Sequence, residues 1–175
     1  MTNEEFALFL NQYADDVYGF CAYLADNIFD RDDLFQETFL LAFRQKEKID
    51  ISGNVKGYFL SLAVGIHRNN LRKRIIHQLL TGEHSIDEED APEIADQRIG
   101  TEESVLQTEE AAFLRRQIMM LSEKYRIPVI LFYLEGLTQK EIARCMKLPV
   151  GTVKSRLSVA RKKLKERMEA AGYDR

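Results

Sequence analysis

A chain of 175 residues with 45% hydrophobic content is long enough for one ordinary domain or two small ones with buried cores. Read naively, its formal net charge of −3 argues against a nucleic-acid partner, but basic residues gather at 68–74 and 154–167 and acidic ones at 83–103, and that asymmetry outweighs the sum. Three further absences shape the expectation: MTNEEFALF has no basic segment followed by an apolar run, no stretch reaches the roughly 18 apolar residues needed to span a bilayer, and Cys21 and Cys145 lack CxxC or Cys/His spacing. A cytoplasmic protein with two reduced thiols and no membrane insertion is expected.

Residues 3–26 read as a helix. Thr2 and Glu5 are spaced as a capping box, and Phe6, Leu10, Tyr13, Val17, Phe20 and Leu24 recur on one apolar face. Asp30 is the expected cap of the next helix, with Asp32 and Asp33 in a first turn whose dipole favours anions. Leu34, Phe35, Thr38, Phe39, Leu41, Ala42 and Phe43 make this helix apolar enough to expect burial on more than one side. Gln36, Glu37 and Arg44 remain as polar outlets. Its carboxylates Asp30, Asp32, Asp33 and Glu37 do not converge as a hard cation requires, so no metal site is expected.

After a loop at 46–53, Asn54 can cap a third helix from Val55 to about Gln78. Val55, Phe59, Leu62, Ala63 and Ile66 form its inward face. Tyr58, His67, Arg68, Asn69, Arg72 and Lys73 fall on the outer one, a mix of ring, amide and cation that suits a nucleic-acid strand and, equally, a solvated helix end. Residues 82–103, GEHSIDEEDAPEIADQRIGTEE, break every periodicity and have too few large apolar side chains to offset chain entropy; they read as a flexible acidic linker.

A second helical domain follows. Residues 105–121 offer Leu106, Ala111, Phe113, Leu114, Ile118 and Leu121 for packing. Ser122 can cap a helix running to Leu134. Pro128 within it removes one backbone bond and crowds the Lys124 carbonyl, so the helix starts late or kinks. Gly136 ends it.

Residues 137–164, LTQKEIARCMKLPVGTVKSRLSVARKKL, read as two helices joined by a tight turn. Thr138 and Glu141 form a capping box, Ile142, Ala143 and Met146 face inward, and Pro149 stops one helix while tolerating the start of another. Val153, Leu157, Ala160 and Leu164 make one buried stripe, and Lys154, Ser155, Ser158, Arg161 and Lys162 occupy the opposite face. A packed back with a basic, hydroxyl-rich front is what a major-groove reading helix needs. An ordinary helical hairpin with a solvated basic face is the plainer alternative. The expected fold is all-α: two small helical domains, 1–80 and 105–175, joined by the acidic linker 81–104, the second a helix-turn-helix.

Two stretches together resemble a known family. LSEKYRIPVILFYLEGLTQKEIARCMKLPVGTVKSRLSVARKKLKERM is similar to the promoter-reading C-terminal domain of bacterial RNA polymerase sigma factors of the extracytoplasmic-function group. DRDDLFQETFLLAF resembles the helix with which the same group docks on core polymerase. The resemblance implies that Asp33, Leu34, Gln36 and Glu37 meet the clamp helices of the largest polymerase subunit. It implies that the segment 46–53 and the following helix, with Asn54, Tyr58, Arg68, Asn69, Arg72 and Lys73, meet the minus-ten element, capture a flipped base and help open the duplex. The linker would thread the polymerase interior. Thr138, Gln139, Gly151, Thr152, Lys154, Ser155, Arg156, Ser158 and Arg161 would read the minus-thirty-five element. Implied partners are core RNA polymerase, promoter DNA and an anti-sigma factor; no cofactor is implied.

The chain departs from the family pattern at Val64 and Gly65, where arginine and asparagine are common, and at Asn69, where aspartate is. Lys147 stands where a glycine often makes the turn, and Tyr58 and Phe43 where tryptophan is common. Two other classes of function are weighed against a sigma factor. A stand-alone, operator-binding helix-turn-helix regulator has no use for the DDLFQETF surface. An enzyme would need a Walker loop, converging carboxylates or a nucleophile–base pair, none of which is recognisable, and His67, His77 and His84 have no evident partners in the sequence.

Overall fold

The structure, a computed structural model, describes residues 1–81 and 108–173. The chain divides into two units, Met1–Glu93 and Ile94–Arg175. The stretch expected to be a linker falls, from residue 82 onward, outside the described residues, as does Leu106. Every regular element among the described residues is helical.

The N-terminal unit is built from α1 (Asn3–Leu24), α2 (Ile28–Arg44) and α3 (Val55–Thr81). The Thr2–Glu5 capping box opens α1: Thr2 N–H donates to Glu5 Oε2 (2.7 Å) and Glu5 N–H to Thr2 Oγ1 (3.1 Å). Val17, Phe20 and Phe59 are fully buried. Around them Phe6 and Tyr13 set ring edges against Phe59 at centroid distances of 6.2 and 6.4 Å, and Phe39 lies tilted against it at 5.1 Å. Each such ring contributes about 1.5–3 kcal/mol by leaving water, so the aromatic cluster holds the three helices together. Polar clips fix their rotation. Tyr18 Oη of α1 donates to Asp32 Oδ1 of α2 (2.9 Å), and the Arg31 guanidinium lies 4.2 Å from the Tyr18 ring centroid. Lys56 pairs with Asp16 at 2.9 Å.

Four expectations for this unit need correcting. The cap of α2 is Asn27, whose Oδ1 accepts from Asp30 N–H (2.9 Å), so Asp30 lies one turn inside and Asp32 and Asp33 are past the first turn. Ile28 and Phe29, exposed apolar residues, disguise that start. Second, α2 is buried on one side only, at Leu34, Thr38, Phe39 and Ala42; Leu40 and Phe43 are exposed. Third, α3 runs three residues further than Gln78, and its last two turns expose Ile75, Ile76, Leu79 and Leu80. Fourth, His67 is not on the outer side; it is 4% exposed. The cap of α3 is as expected, with Asn54 Oδ1 accepting from Gly57 N–H at 2.7 Å.

The C-terminal unit contains α4 (Glu109–Met119), α5 (Glu123–Val129), α6 (Gln139–Met146) and α7 (Val150–Ala170). Thr108 caps α4, its side chain accepting from Ala111 N–H. Ser122 occupies the cap position of α5, but its side chain makes no capping bond, contrary to expectation. Pro128 neither delays nor ends the helix. Lacking an N–H, it leaves the regular ladder one bond short, and the chain widens directly afterwards into a π-turn, Ile130–Leu134, closed by Glu135 N–H on the Ile130 carbonyl (3.0 Å). Ile127, Val129, Ile130 and Leu131 are buried there, and packing holds the irregular turn in place. Gly136 follows with φ of 70°, the left-handed conformation expected of a helix terminator.

Candidate nucleic-acid interface

The geometry of the helix-turn-helix begins with α6. Thr138 N–H donates to Glu141 Oε2 (2.7 Å) and Glu141 N–H to Thr138 Oγ1 (3.3 Å), the reciprocal cap expected. Ile142, Ala143 and Met146 are buried. At its end Lys147 is left-handed (φ 53°, ψ 49°). Leu148 N–H reaches the Ala143 carbonyl (2.9 Å) and Lys147 N–H the Arg144 carbonyl (3.2 Å). This pair of bonds is the Schellman closure, and Pro149 comes next, where a helix cannot continue. The tight turn therefore needs no glycine; the cost of Lys in this conformation is on the order of 1 kcal/mol.

Pro149 then stands at the cap of α7, and the Thr152 and Val153 N–H groups bond its carbonyl. Val153, Leu157, Ala160 and Leu164 are all buried, so the back of α7 is the stripe expected from its spacing. Lys154, Ser155, Ser158, Arg161 and Lys162 are exposed on the front, along with Gly151. Thr152, Arg156 and Gln139 are half-buried, and Thr138 is exposed with its hydroxyl committed to the Glu141 cap. The charge along α7 is graded. Its acidic residues, Glu166 and Glu169, lie in the C-terminal third and are each four residues from a lysine, at 3.9 Å from Lys162 and 3.5 Å from Lys165. Lys154, Arg156 and Arg161 have no ion pair among the described residues. Arg167 anchors the far end by donating to the Gln117 carbonyl of α4 (3.3 Å), and Phe113 of α4 meets Tyr173 at 5.4 Å. The result is a helix clamped at its C-terminal end and along its back, with its N-terminal half presenting uncompensated cations.

The second set of candidate residues lies on α3 and the loop before it. Asn54 is occupied as a cap. Tyr58 is half-buried; its Oη donates to Gln45 Oε1 (3.2 Å), and burial pushes its phenol above the ordinary value. The loop is folded on Asp50, whose carboxylate accepts from Ser52 Oγ (2.6 Å) and Ser52 N–H (3.0 Å), which holds it below the usual carboxylate range. Arg68 is half-buried, while Asn69, Arg72 and Lys73 are exposed. Val64 is fully buried and cannot touch a ligand, whereas Gly65 is exposed.

The third set is on α2. Asp33, Gln36 and Glu37 are exposed together on one face, continued by Leu40 and Phe43. Leu34 departs from its expected place in that surface. It is 4% exposed and packs in the unit's own core. Three contributors were missed from the sequence. Phe43 was counted among the residues expected to bury α2, and Leu40 was not singled out. Arg74, at the end of the basic run 68–74, bonds Asp26 at 2.9 Å; a partner 48 positions away leaves no local signal.

Comparison with known proteins adds the following. Residues 9–75 match the family described as sigma-70 region 2, and residues 114–164 match sigma-70 region 4. The extracytoplasmic-function sigma factor SigW of Bacillus subtilis is 26% identical over 167 residues, covering 94% of this chain and 89% of its own length. The sigma-H factor of Pseudomonas aeruginosa is 26% identical over 181 residues, covering 94% and 86%. Among solved structures, the sigma factor RpoE of Bartonella quintana, in complex with the anti-sigma factor NepR, shares the fold with a TM-score of 0.77 at 20% identity, over 98% of this chain and 99% of that one. CnrH, in complex with the cytosolic domain of CnrY, does so with a TM-score of 0.64 at 18% identity, over 97% and 90%.

Proposed function

The chain belongs to the extracytoplasmic-function group of the sigma-70 family, and from that membership we propose how its parts divide the work of starting transcription. It binds core RNA polymerase and directs it to specific promoters. The observation that carries this is the presence, in one chain and in this order, of a region 2 match whose α2 exposes an acidic face and a region 4 match whose α7 exposes a cationic one. A stand-alone operator binder needs only the second.

In this reading Asp33, Gln36 and Glu37, flanked by Leu40 and Phe43, form the grip on polymerase, with Leu34 supporting α2 from within. Arg68, Asn69, Arg72 and Lys73 of α3 take the minus-ten strand, Tyr58 offers a ring on which a base can stack, and Asn54 fixes the start of that helix. The N-terminal half of α7 enters the major groove at the minus-thirty-five element. Lys154, Ser155, Arg156, Ser158 and Arg161 supply donors, and the backbone at Gly151 and Thr152 approaches phosphate. Neither unit needs to hold DNA tightly alone, because tethering and docking on polymerase raise the effective concentration of each.

The work is non-enzymatic and cytoplasmic. No described helix is long and apolar enough to cross a membrane. An anti-sigma protein is a further partner, as it is in the RpoE complex, and the exposed Leu40 and Phe43 beside the acidic face give it a surface. Transcription in vitro with purified core polymerase on a genomic library tests the whole reading. Start sites that require this chain and share two spaced elements are expected. A chain that yields no promoter-dependent transcript, yet binds a duplex alone, overturns it.

A further inference from the structure

Past His67, α3 has no buried residue, yet the cations proposed to meet DNA lie in that stretch. An open crease lined by Leu34, His67, Asn70 and Lys73 separates this part of α3 from α2, so close packing does not fix it there. A polar tie crosses the gap. Arg74 Nη1 lies 2.9 Å from Asp26 Oδ2 and 4.0 Å from Asp30 Oδ2. Asp26 lies in the turn between α1 and α2 and Asp30 in the first turn of α2, and the junction is set by Asn27. That residue caps α2 and donates its Nδ2 to Asp30 Oδ2 at 2.9 Å. Arg72 and Lys73, immediately before Arg74, carry no ion pair among the described residues.

We propose that Arg74 is a positioning residue for promoter opening: bound to Asp26 and Asp30, it holds the end of α3 against the turn that leads into the polymerase-docking helix, and so aims Arg72 and Lys73 at the DNA strand. The inference rests on the reading of α3 as the minus-ten face. An exposed ion pair of this kind adds little to global stability, so its effect lies in orientation. The proposal makes a prediction opposite in sign to simple electrostatics. Removing the Asp26 carboxylate makes the surface more cationic, which on charge alone strengthens binding to an anionic strand. Loss of the tie weakens it.

The test uses holoenzyme assembled from core polymerase and the full chain, on the strongest promoter recovered by the library transcription and on the same promoter with its minus-ten region premelted. Asp26→Ala and Arg74→Ala are each expected to lower open-complex formation and premelted-probe affinity by roughly two- to five-fold, the span of one exposed pair. Core-polymerase affinity and helicity stay unchanged. The exchange Asp26→Arg with Arg74→Asp restores most of the loss. Unchanged or tighter binding by Asp26→Ala, or no rescue by the exchange, overturns the tie and leaves Arg74 a direct phosphate contact or a bystander. Arg72→Ala with Lys73→Ala is the parallel control. If that pair leaves DNA binding intact, the minus-ten reading of α3 falls and takes the proposal with it; if it weakens binding while Asp26→Ala does not, the tie alone fails.

Discussion

Lys147 sits at φ 53° in the turn that joins the two helices of the reading motif, a conformation that suits glycine better than any residue with a Cβ. Lys147→Gly is expected to stabilise the C-terminal unit by about 1 kcal/mol, seen as a shift of its denaturant midpoint at constant slope. In the N-terminal unit, the hydrogen bond from Tyr18, then that from Arg31, holds the Asp32 carboxyl below the usual range. A depressed carboxylate adds stability that is present above its unfolded value and is lost as pH falls through the folded one. On the Asp32 side the Tyr18–Asp32 clip therefore weakens in acid. Tyr18→Phe should move the Asp32 titration upward in carboxyl-detected NMR; an unmoved titration would remove Tyr18 as the cause. Burial pushes the Cys21 thiol up to about 12, so native protein at pH 8 should resist alkylation there until it is unfolded. At this scale the sequence was a good guide where a residue acts within one turn, as with Thr2 and Glu5 or Thr138 and Glu141. It misled at Asp30, because Asn27 three residues earlier is an equally good cap, and at His67, whose burial depends on a helix from elsewhere in the chain.

Among the elements, α7 was the most legible. A strict three- and four-residue apolar spacing separates its two faces, and all four stripe residues are buried. α2 was less so, because apolar residues occur all round it and only three-dimensional packing decides that Leu34 goes in while Leu40 and Phe43 stay out. The π-turn after Pro128 could not be read at all; a missing donor announces an irregularity without specifying its form. Two measurements probe the elements. Thr138→Ala removes the hydroxyl that accepts from Glu141 N–H, leaves the backbone N–H bond to Glu141 in place, and is expected to cost about 1 kcal/mol in the unfolding of the C-terminal unit. A Thr138 that matters only through DNA contact would leave stability unchanged. Lys154→Ala should weaken minus-thirty-five binding evenly across sequences and reduce the salt slope by about one if the lysine meets phosphate; if it meets a base, preference changes at one position. No change of either kind would move the reading face off this side of α7.

For the molecule as a whole, the division of labour between the units is the central point. Glu37→Lys is expected to lower affinity for core polymerase by roughly ten-fold, about 1.4 kcal/mol, while far-ultraviolet circular dichroism stays the same. Affinity equal to the parent's would take Glu37 out of the grip. The all-helical architecture and the order of the two units were readable from periodicity and charge, since most helices carry a cap or an apolar stripe of their own. Which side chain meets which partner was not, because exposed side chains are constrained by partners rather than by the fold.

The separation of the two faces of α7 has a consequence for how such proteins diversify. Lys154, Ser155, Ser158 and Arg161 take no part in packing, so they can be exchanged without disturbing the folded unit, while Val153, Leu157, Ala160 and Leu164 keep the helix seated. Duplicated copies of such a gene can drift toward new target sites by changing the outward residues alone, each intermediate still folding.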